Sequence, residues 1–302
     1  MKGTRTCSLR SIIAICCAVA VVIGLAIGLG VGLGTKSNSS NNQTDTAAAV
    51  APSTDNGTTS NSNATWWKPQ AKTTWQIVLN QTIRSTNFDN VSVYDIDLFD
   101  TPPEAIAALH AAGKKVICYF SAGSYEPWRP DAVAFLAPVL GNAVSGWPGE
   151  RWVNTNSDFV RYIMQQRIEL AKNKSCDGLD PDNIDAYNNN NGFGLTQDDA
   201  LNYFQFLANE GHSRGMAVGL KNAAALVTNV TDLADWEVNE ECIEYEECAY
   251  YQPFIAAGKP VFHIEYTNNT DVGDLQAVCQ ESPTNFSTLL KNIQLDEWYE
   301  AC

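Results

Sequence analysis

The chain has 302 residues, with 34 Asp and Glu against 19 Lys and Arg, so its formal net charge is -15 and its isoelectric point about 4.5. Such a field repels a polyanionic backbone and excludes nucleic acid as a partner. A 45% apolar fraction with eight Trp and eleven Tyr excludes a wholly disordered chain.

Residues 1–11 hold Lys2, Arg5 and Arg10 and read as a short cytoplasmic tail. From Ile12 to Gly34 no residue is charged, and at 1.5 Å per residue a helix of that length spans the roughly 30 Å core of a bilayer. The basic residues before it, against Lys36 alone soon after, orient a single-pass type II anchor with everything beyond Gly34 extracellular or lumenal. A cleaved signal peptide is the alternative; the apolar run is longer than a usual signal core, and no clear small-x-small site follows it. Gly24, Gly28 and Gly32 recur every four residues and suggest a weak dimerisation face.

Residues 35–64 are rich in Ser, Thr, Asn and Ala, bury too little to offset chain entropy, and read as a flexible stalk. Glycosylation sequons stand at Asn38, Asn42, Asn56 and Asn63, then at Asn80, Asn90, Asn173, Asn229, Asn268 and Asn285. Cys118, Cys176, Cys242, Cys248, Cys279 and Cys302 form an even set suited to an oxidising compartment. The expected pairs are Cys118 with Cys176, Cys242 with Cys248 and Cys279 with Cys302, although spacing does not fix connectivity. No CxxC or HExxH pattern occurs and His is limited to His110, His212 and His263, so no metal and no cofactor is expected.

Residues 65–302 approach the roughly 250 of an eightfold β/α barrel. Eight β-branched or aromatic runs read as strands: Trp75 to Leu79, Val91 to Ile96, Lys115 to Phe120, Gly178 to Asp180, Ala217 to Leu220, Trp236 to Val238, Pro260 to Tyr266 and Ser287 to Leu290. Helical spacing between them appears at Pro102 to Ala112, where Ile106 and Leu109 share a face, and at Asp158 to Lys172, where Phe159, Ile163 and Leu170 recur. The fold class is therefore α/β, a single (β/α)8 TIM-type barrel behind an anchor and a stalk. A doubly wound sheet is the rival, but no Gly-x-Gly-x-x-Gly turn follows the first strand.

A parallel barrel works at the C-terminal ends of its strands. Here the second strand reaches Asp95 and Asp97, the fourth runs from Asp177 through Asp180 and Asp182 to Asp185, the sixth reaches Asn239 and Glu240, and the seventh Glu265. Carboxylates crowded into one mouth raise one another's pKa, which supplies both an acid and a base, the pair that glycoside hydrolysis needs. Calcium binding and helix capping are competing readings of Asp180 to Asp185; its acids do not match an EF-hand and the obligatory Gly is missing. Tyr94, Tyr125, Trp128, Tyr187, Tyr245 and Tyr266 fall beside strand ends, where rings could lie against sugar faces. Lys221 and Asn222 could hold a hydroxyl or depress a carboxylate's pKa, and a structural Lys–Asp pair is as good a reading. Glu241, Glu244, Glu246 and Glu247 read as a solvated loop held by Cys242 and Cys248.

The segments Cys118-Tyr-Phe-Ser-Ala-Gly-Ser-Tyr-Glu126 with Trp128-Arg-Pro-Asp131, Cys176-Asp-Gly-Leu-Asp-Pro-Asp-Asn-Ile-Asp185, Gly219-Leu-Lys-Asn222, Val238-Asn-Glu-Glu-Cys242 and Glu265-Tyr266 closely resemble glycoside hydrolase family 114, over nearly all of residues 70–302. The resemblance implies a (β/α)8 endo-α-1,4-polygalactosaminidase. Its layout is similar to that of membrane-anchored fungal members that cut galactosaminogalactan, an exopolysaccharide of partly deacetylated galactosamine. It implies Asp182 and Glu240 as the catalytic pair. Asp180 stands where the family is expected to have Glu. The accompanying expectation is a retaining mechanism, Asp182 as nucleophile and Glu240 as acid/base, with carboxyl groups roughly 5 to 5.5 Å apart; inversion would need about 6.5 to 9.5 Å. Asp95, Asp97, Asp180, Asp185 and Glu265 would bind the substrate's ammonium groups, beside Tyr94, Tyr125, Tyr187, Lys221, Asn222, Asn239 and Tyr266. A tethered glycan-binding protein without turnover and a hydrolase of another α-linked glycan are the alternatives.

Overall fold

The computed structural model describes residues 65–83, 88, 90–267 and 272–302. The expected tail, anchor and stalk, the glycine face of Gly24, Gly28 and Gly32, and the sequons at Asn38, Asn42, Asn56, Asn63 and Asn268 lie outside the described residues. Among the described residues no helix is long and apolar enough to cross a membrane.

All eight expected strands form. In chain order the elements are β1 (Trp75–Val78), β2 (Val93–Asp97), α1 (Pro103–Ala111), β3 (Lys115–Ser121), β4 (Ser124–Tyr125), β5 (Leu140–Ala143), β6 (Arg151–Val153), α2 (Asp158–Asn173), β7 (Gly178–Asp182), α3 (Gln197–Ser213), β8 (Ala217–Lys221), α4 (Val227–Val230), β9 (Trp236–Glu240), α5 (Gln252–Ala256), β10 (Val261–Tyr266), α6 (Val272–Glu281), β11 (Ser287–Lys291) and β12 (Glu300–Ala301). One curled sheet runs β1-β2-β3-β7-β8-β9-β10-β11-β12, parallel throughout except that β12 pairs antiparallel with β11. This is the α/β pattern of TIM-type folds. Among the described residues no helix follows β1, and β12 takes the place of a last helix. Side chains tie the first and last parallel strands: Trp75 Nε1 donates to Ser287 O at 2.8 Å and Ser287 Oγ to Thr73 O at 2.8 Å.

The pleat sends alternate residues to opposite faces. Trp75, Ile77, Val93, Ile117, Ala217, Trp236, Val238, Phe262, Ile264 and Leu289 fill the concave side. Trp236 occupies its centre because Gly178 and Gly219 face it; a Cβ on either would lie 2.4 or 2.0 Å from the indole. The convex side packs on the helices through a second cluster that includes Ile106, Leu109, Ile163, Met164, Phe204 and Leu207. On α2 the buried stripe is Val160, Ile163, Met164, Arg167, Ile168 and Ala171; Phe159 is exposed, so the expected stripe is corrected by about one residue. Pro103 opens α1, and a reciprocal cap opens α3, with Asp199 N donating to Thr196 Oγ1 at 3.2 Å and Thr196 N to Asp199 Oδ2 at 2.7 Å.

The expected disulfides all form: Cys118–Cys176, Cys242–Cys248 and Cys279–Cys302. The feature that the strand reading missed is a three-stranded antiparallel sheet, β4-β6-β5, inserted between β3 and α2. It is fastened to the end of β7, where Asp182 O accepts from Ala122 N at 2.8 Å and Gly123 N at 3.0 Å. That contact requires glycine, since a Cβ at 123 would lie 1.7 Å from Asn183 O.

At the opposite end of the sheet, Asp177 accepts from His110, Lys115 and Val116 N at 2.8, 2.6 and 2.9 Å, and Asp235 accepts from His212 and Val218 N at 2.8 and 2.9 Å. Asp177 therefore belongs to strand pairing, not to the acidic mouth.

Candidate active site

The pleat sorts the expected site residues. Asp95, Asp97, Asp180, Asp182, Lys221, Glu240 and Tyr266 share the parity of the concave face at strand ends. Tyr94, Asn239 and Glu265 have the other parity and are corrected. Tyr94 lies in the helix-side cluster against Phe88. Asn239 is fully buried on the face opposite Val238. Glu265 accepts from His263 Nε2 and Ile243 N, each at 2.8 Å, and so anchors the loop after β9. Asp97 has the right parity but is also corrected as an ammonium ligand: Arg129 Nη2 reaches its Oδ2 at 2.6 Å, while the amides of Phe99 and Asp100 donate to Oδ1. Tyr125 is half-buried edge-on to Phe135, in the inserted sheet. Trp128 and Tyr245 are exposed.

Asp182 and Glu240 close β7 and β9 on either side of Lys221, the last residue of β8. Left-handed residues follow all three, Asn183 at φ 62°, Asn222 at 51° and Glu241 at 62°, so each strand turns away sharply behind its functional side chain. Tyr119, which the sequence reading missed, donates to Asp182 Oδ2 at 3.0 Å, and Asn183 N donates to Oδ1 at 2.7 Å. Glu240 accepts from Asn222 Nδ2 at 2.9 Å and from the Tyr266 hydroxyl. Lys221 Nζ stands 3.6 Å from Glu240 Oε2 and 3.8 Å from Asp180 Oδ2.

These surroundings divide the two acids electrostatically. Burial alone would raise Glu240, but Lys221 and the Tyr266 and Asn222 donors outweigh it and hold the pKa below the ordinary carboxylate value. Asp182 is raised, by burial first and by the Glu240 charge, against the opposing pull of Lys221. Lys221 stays protonated: Glu240, Asp182 and Asp180 overcome its desolvation and lift it well above its usual value. Beneath this pair, Asp95 and Asp180 are fully buried, and among the described residues neither carboxyl group has a hydrogen-bond partner. Burial first, then the Asp180 charge, lifts Asp95 well above the ordinary carboxylate value; Asp180 itself is pushed to about 7, by burial above all. The mouth thus has one carboxyl group biased toward the ionised form, one biased toward the protonated form, and a cation between them.

A second missed element comes from the inserted sheet. Glu150 Oε2 accepts from Ser124 Oγ at 2.7 Å, Ser124 Oγ meets Ser121 Oγ at 2.7 Å, and Asn183 Nδ2 donates to Ser121 Oγ at 2.9 Å. This buried chain leads from Glu150 to the residue whose amide holds Asp182. Burial, with Glu126 and Asp182 nearby, raises Glu150 to about 7. No pattern in the chain marks Glu150, whereas Tyr119 shares the parity of Ile117 and was open to that argument.

Beside Glu240 opens a cavity of about 480 Å³, lined by Asp185, Asn188, Asn222, the run Ala223 to Ala225, Glu247, Tyr250 and Tyr251. Tyr187 is half-buried against the helix-side core nearby. Burial first, then the Asp182 charge, raises Asp185 to about 6. As for a metal, Cys242, Cys248 and His263 present ligand atoms within 4.8 Å of one another, but the two sulfurs are joined as a disulfide and cannot act as thiolates.

The model of glycoside-hydrolase family GH114 matches residues 56–302. Among solved structures, Aspergillus fumigatus Ega3 in complex with galactosamine is 46% identical, with a TM-score of 0.76, covering 80% of this chain and 100% of its own. The glycoside hydrolase domain of PelA from Pseudomonas aeruginosa has a TM-score of 0.62 at 11% identity, covering 76% of this chain and 98% of its own, a likeness of fold. No curated protein sequence matches. With its family match and the length shared with Ega3, the chain belongs to glycoside hydrolase family GH114.

Proposed function

We propose that this protein is an endo-acting glycoside hydrolase that cleaves α-1,4-galactosaminidic linkages in a cationic, galactosamine-containing exopolysaccharide, with Asp182 and Glu240 as its carboxyl pair. The observation that carries this reading is the unequal environment of two acids in one mouth, Glu240 pulled below and Asp182 pushed above the ordinary carboxylate pKa on either side of Lys221. Similarity to a protein whose structure holds galactosamine supplies the substrate class, and an excess of 34 acidic over 19 basic groups suits a polycation.

Bond cleavage needs one carboxyl group to protonate the leaving oxygen and the other, ionised, to attack or stabilise the oxocarbenium-like centre. With Asp182 as nucleophile and Glu240 as acid/base, Asp182 has to be ionised and Glu240 protonated when the bond breaks, against the direction of both shifts; positive charge growing beside Asp182 favours its ionisation. A second reading exchanges the roles, and the directions of the two shifts favour it. In both, Tyr119 and the Asn183 amide fix Asp182, while Asn222 and Tyr266 fix Glu240.

We further propose a closed (β/α)8 barrel over residues 65–302, held outside the cell by a membrane helix at 12–34 and a stalk at 35–64, with Gly24, Gly28 and Gly32 as a pairing face. The exposure of Asn80, Asn90, Asn173, Asn229 and Asn285 and the three disulfides support passage through an oxidising, glycosylating compartment. Release of short oligomers with new reducing ends from deacetylated polygalactosamine tests the activity, and Asp182→Asn and Glu240→Gln should each slow it at least ~100-fold. Unchanged cleavage by both variants rejects the pair; cleavage of only another α-linked glycan rejects the substrate.

A further inference from the structure

We propose that the cavity between the ends of β7, β8 and β9 is a subsite for one protonated amino sugar, with Asp185 and Glu247 as counter-anions to its ammonium group and Tyr250 lying against its ring. This rests on the galactosamine reading above and names the place where a particular sugar unit is held. Several other partly or fully buried acids have basic partners, Asp97 with Arg129, Asp131 with Arg167, Asp177 with Lys115 and Glu265 with His263, whereas buried Asp95, Glu150 and Glu237 form no ion pair among the described residues. Asp185 and Glu247 form no ion pair among the described residues, and no Lys, Arg or His lines the cavity. Glu247 accepts one hydrogen bond, from Tyr251 Oη at 3.1 Å. Taking a carboxylate out of water without a counter-charge is costly, and a cationic ligand removes that cost.

The rest of the wall suits a sugar. Asn188 and Asn222 offer both donors and acceptors for hydroxyls. Ala223 to Ala225 leave room where larger side chains would fill it, and the volume falls within the roughly 300–1,000 Å³ of small-molecule sites. Tyr250 is 62% exposed, so its ring has apolar area to cover with a C–H face. The Cys242–Cys248 disulfide clamps the loop that carries Glu247 and fixes the start of the turn that carries Tyr250 beside the cavity. Asn222 belongs to the cavity wall and donates to Glu240 as well, which sets the cavity next to the reacting mouth. Glu247, read from sequence as part of a solvated loop, is thereby separated from Glu244 and Glu246, which are exposed.

The test is calorimetric binding of a galactosamine oligomer and of a fully N-acetylated oligomer of equal length to the full chain carrying Glu240→Gln, with cleavage by the unmutated chain measured in parallel. The expected result is at least ~10-fold tighter binding of the deacetylated oligomer. Adding Glu247→Gln or Asp185→Asn should reduce that preference to within ~3-fold, whereas Tyr250→Ala should weaken both ligands alike. Near-native circular dichroism of each variant is required, and Glu247→Gln, on a half-buried side chain, carries the test if Asp185→Asn fails to fold. Cleavage by the unmutated chain together with an unchanged preference in Glu247→Gln overturns the subsite and leaves the hydrolase standing. An unmutated chain that neither cuts nor binds galactosamine oligomers overturns both.

Discussion

The side chain of Asn222 grips Glu240 at two points: its Nδ2 donates to Glu240 Oε2 at 2.9 Å, and its Oδ1 accepts from Glu240 N at 2.9 Å. One carboxamide therefore sets both the position of the carboxylate and its preference for the ionised form. Asn222→Asp replaces the donor with a like charge, so the limb of the pH–activity profile governed by Glu240 should move to higher pH by about 1 unit or more. Asn222→Gly keeps the left-handed backbone at φ 51° and removes the donor without adding charge, so the shift should be in the same direction and smaller. A profile that stays in place in both variants would show that Lys221 and Tyr266 alone fix the ionisation of Glu240.

The two role assignments for Asp182 and Glu240 differ in how azide rescues their variants. A small anion that replaces a missing nucleophile gives a glycosyl azide of inverted configuration, whereas one that intercepts an intermediate in a variant lacking the acid/base gives a retained product. With an activated aryl galactosaminide, Asp182→Ala should yield the inverted azide and Glu240→Ala the retained one. Nuclear magnetic resonance of the anomeric proton reads the outcome, and the opposite pattern would assign the nucleophile to Glu240.

Glu150 should make stability depend on pH. Its pKa is about 7 in the folded protein against 4.5 for the free side chain, so the folded state holds the proton more tightly. That contribution is complete below about pH 4.5 and is lost as pH rises through 7. Glu150→Gln has no such dependence. Between pH 4.5 and 8 the unmutated protein should therefore lose on the order of 2–3 kcal/mol relative to the variant, measurable by urea unfolding across that range.

Two disulfides should separate stability from function. Cys118–Cys176 closes 58 residues and Cys242–Cys248 closes 6, so loop entropy assigns them about 4 and about 2 kcal/mol respectively. Replacing both cysteines of the longer loop by serine should lower the melting temperature more. Replacing those of the shorter loop should instead raise KM, because Glu247 and Tyr250 lose their clamp beside the cavity. Equal effects on KM would detach that loop from substrate binding.

The eight parallel strands were legible because each is a short β-branched or aromatic run set between helical patterns. The inserted sheet was not: β4 has two residues, β6 has three, and β5 is Leu-Gly-Asn-Ala, so alternation has no length in which to appear. For the site, position along a strand is readable from the sequence, and so is facing. Counting by two from Ile117 places Tyr119 in the mouth, and the same count from Val93 removes Tyr94. The same count from Ile264 removes Glu265, but Asp97 failed for a different reason: its occupant, Arg129, comes from 32 residues away, and sequence spacing does not reveal such a meeting.

Asp95 and Asp180 are both fully buried, close enough for the charge of one to raise the pKa of the other. One volume and one proton are therefore divided between two positions of the chain, 95 and 180. A methylene added at 180 has to be taken from whatever stands at 95, so relatives with a longer acid at the first position should have a smaller or reoriented neighbour at the second. The shorter Asp180 of this protein is then half of a matched exchange, with its other half on the adjoining side of β3.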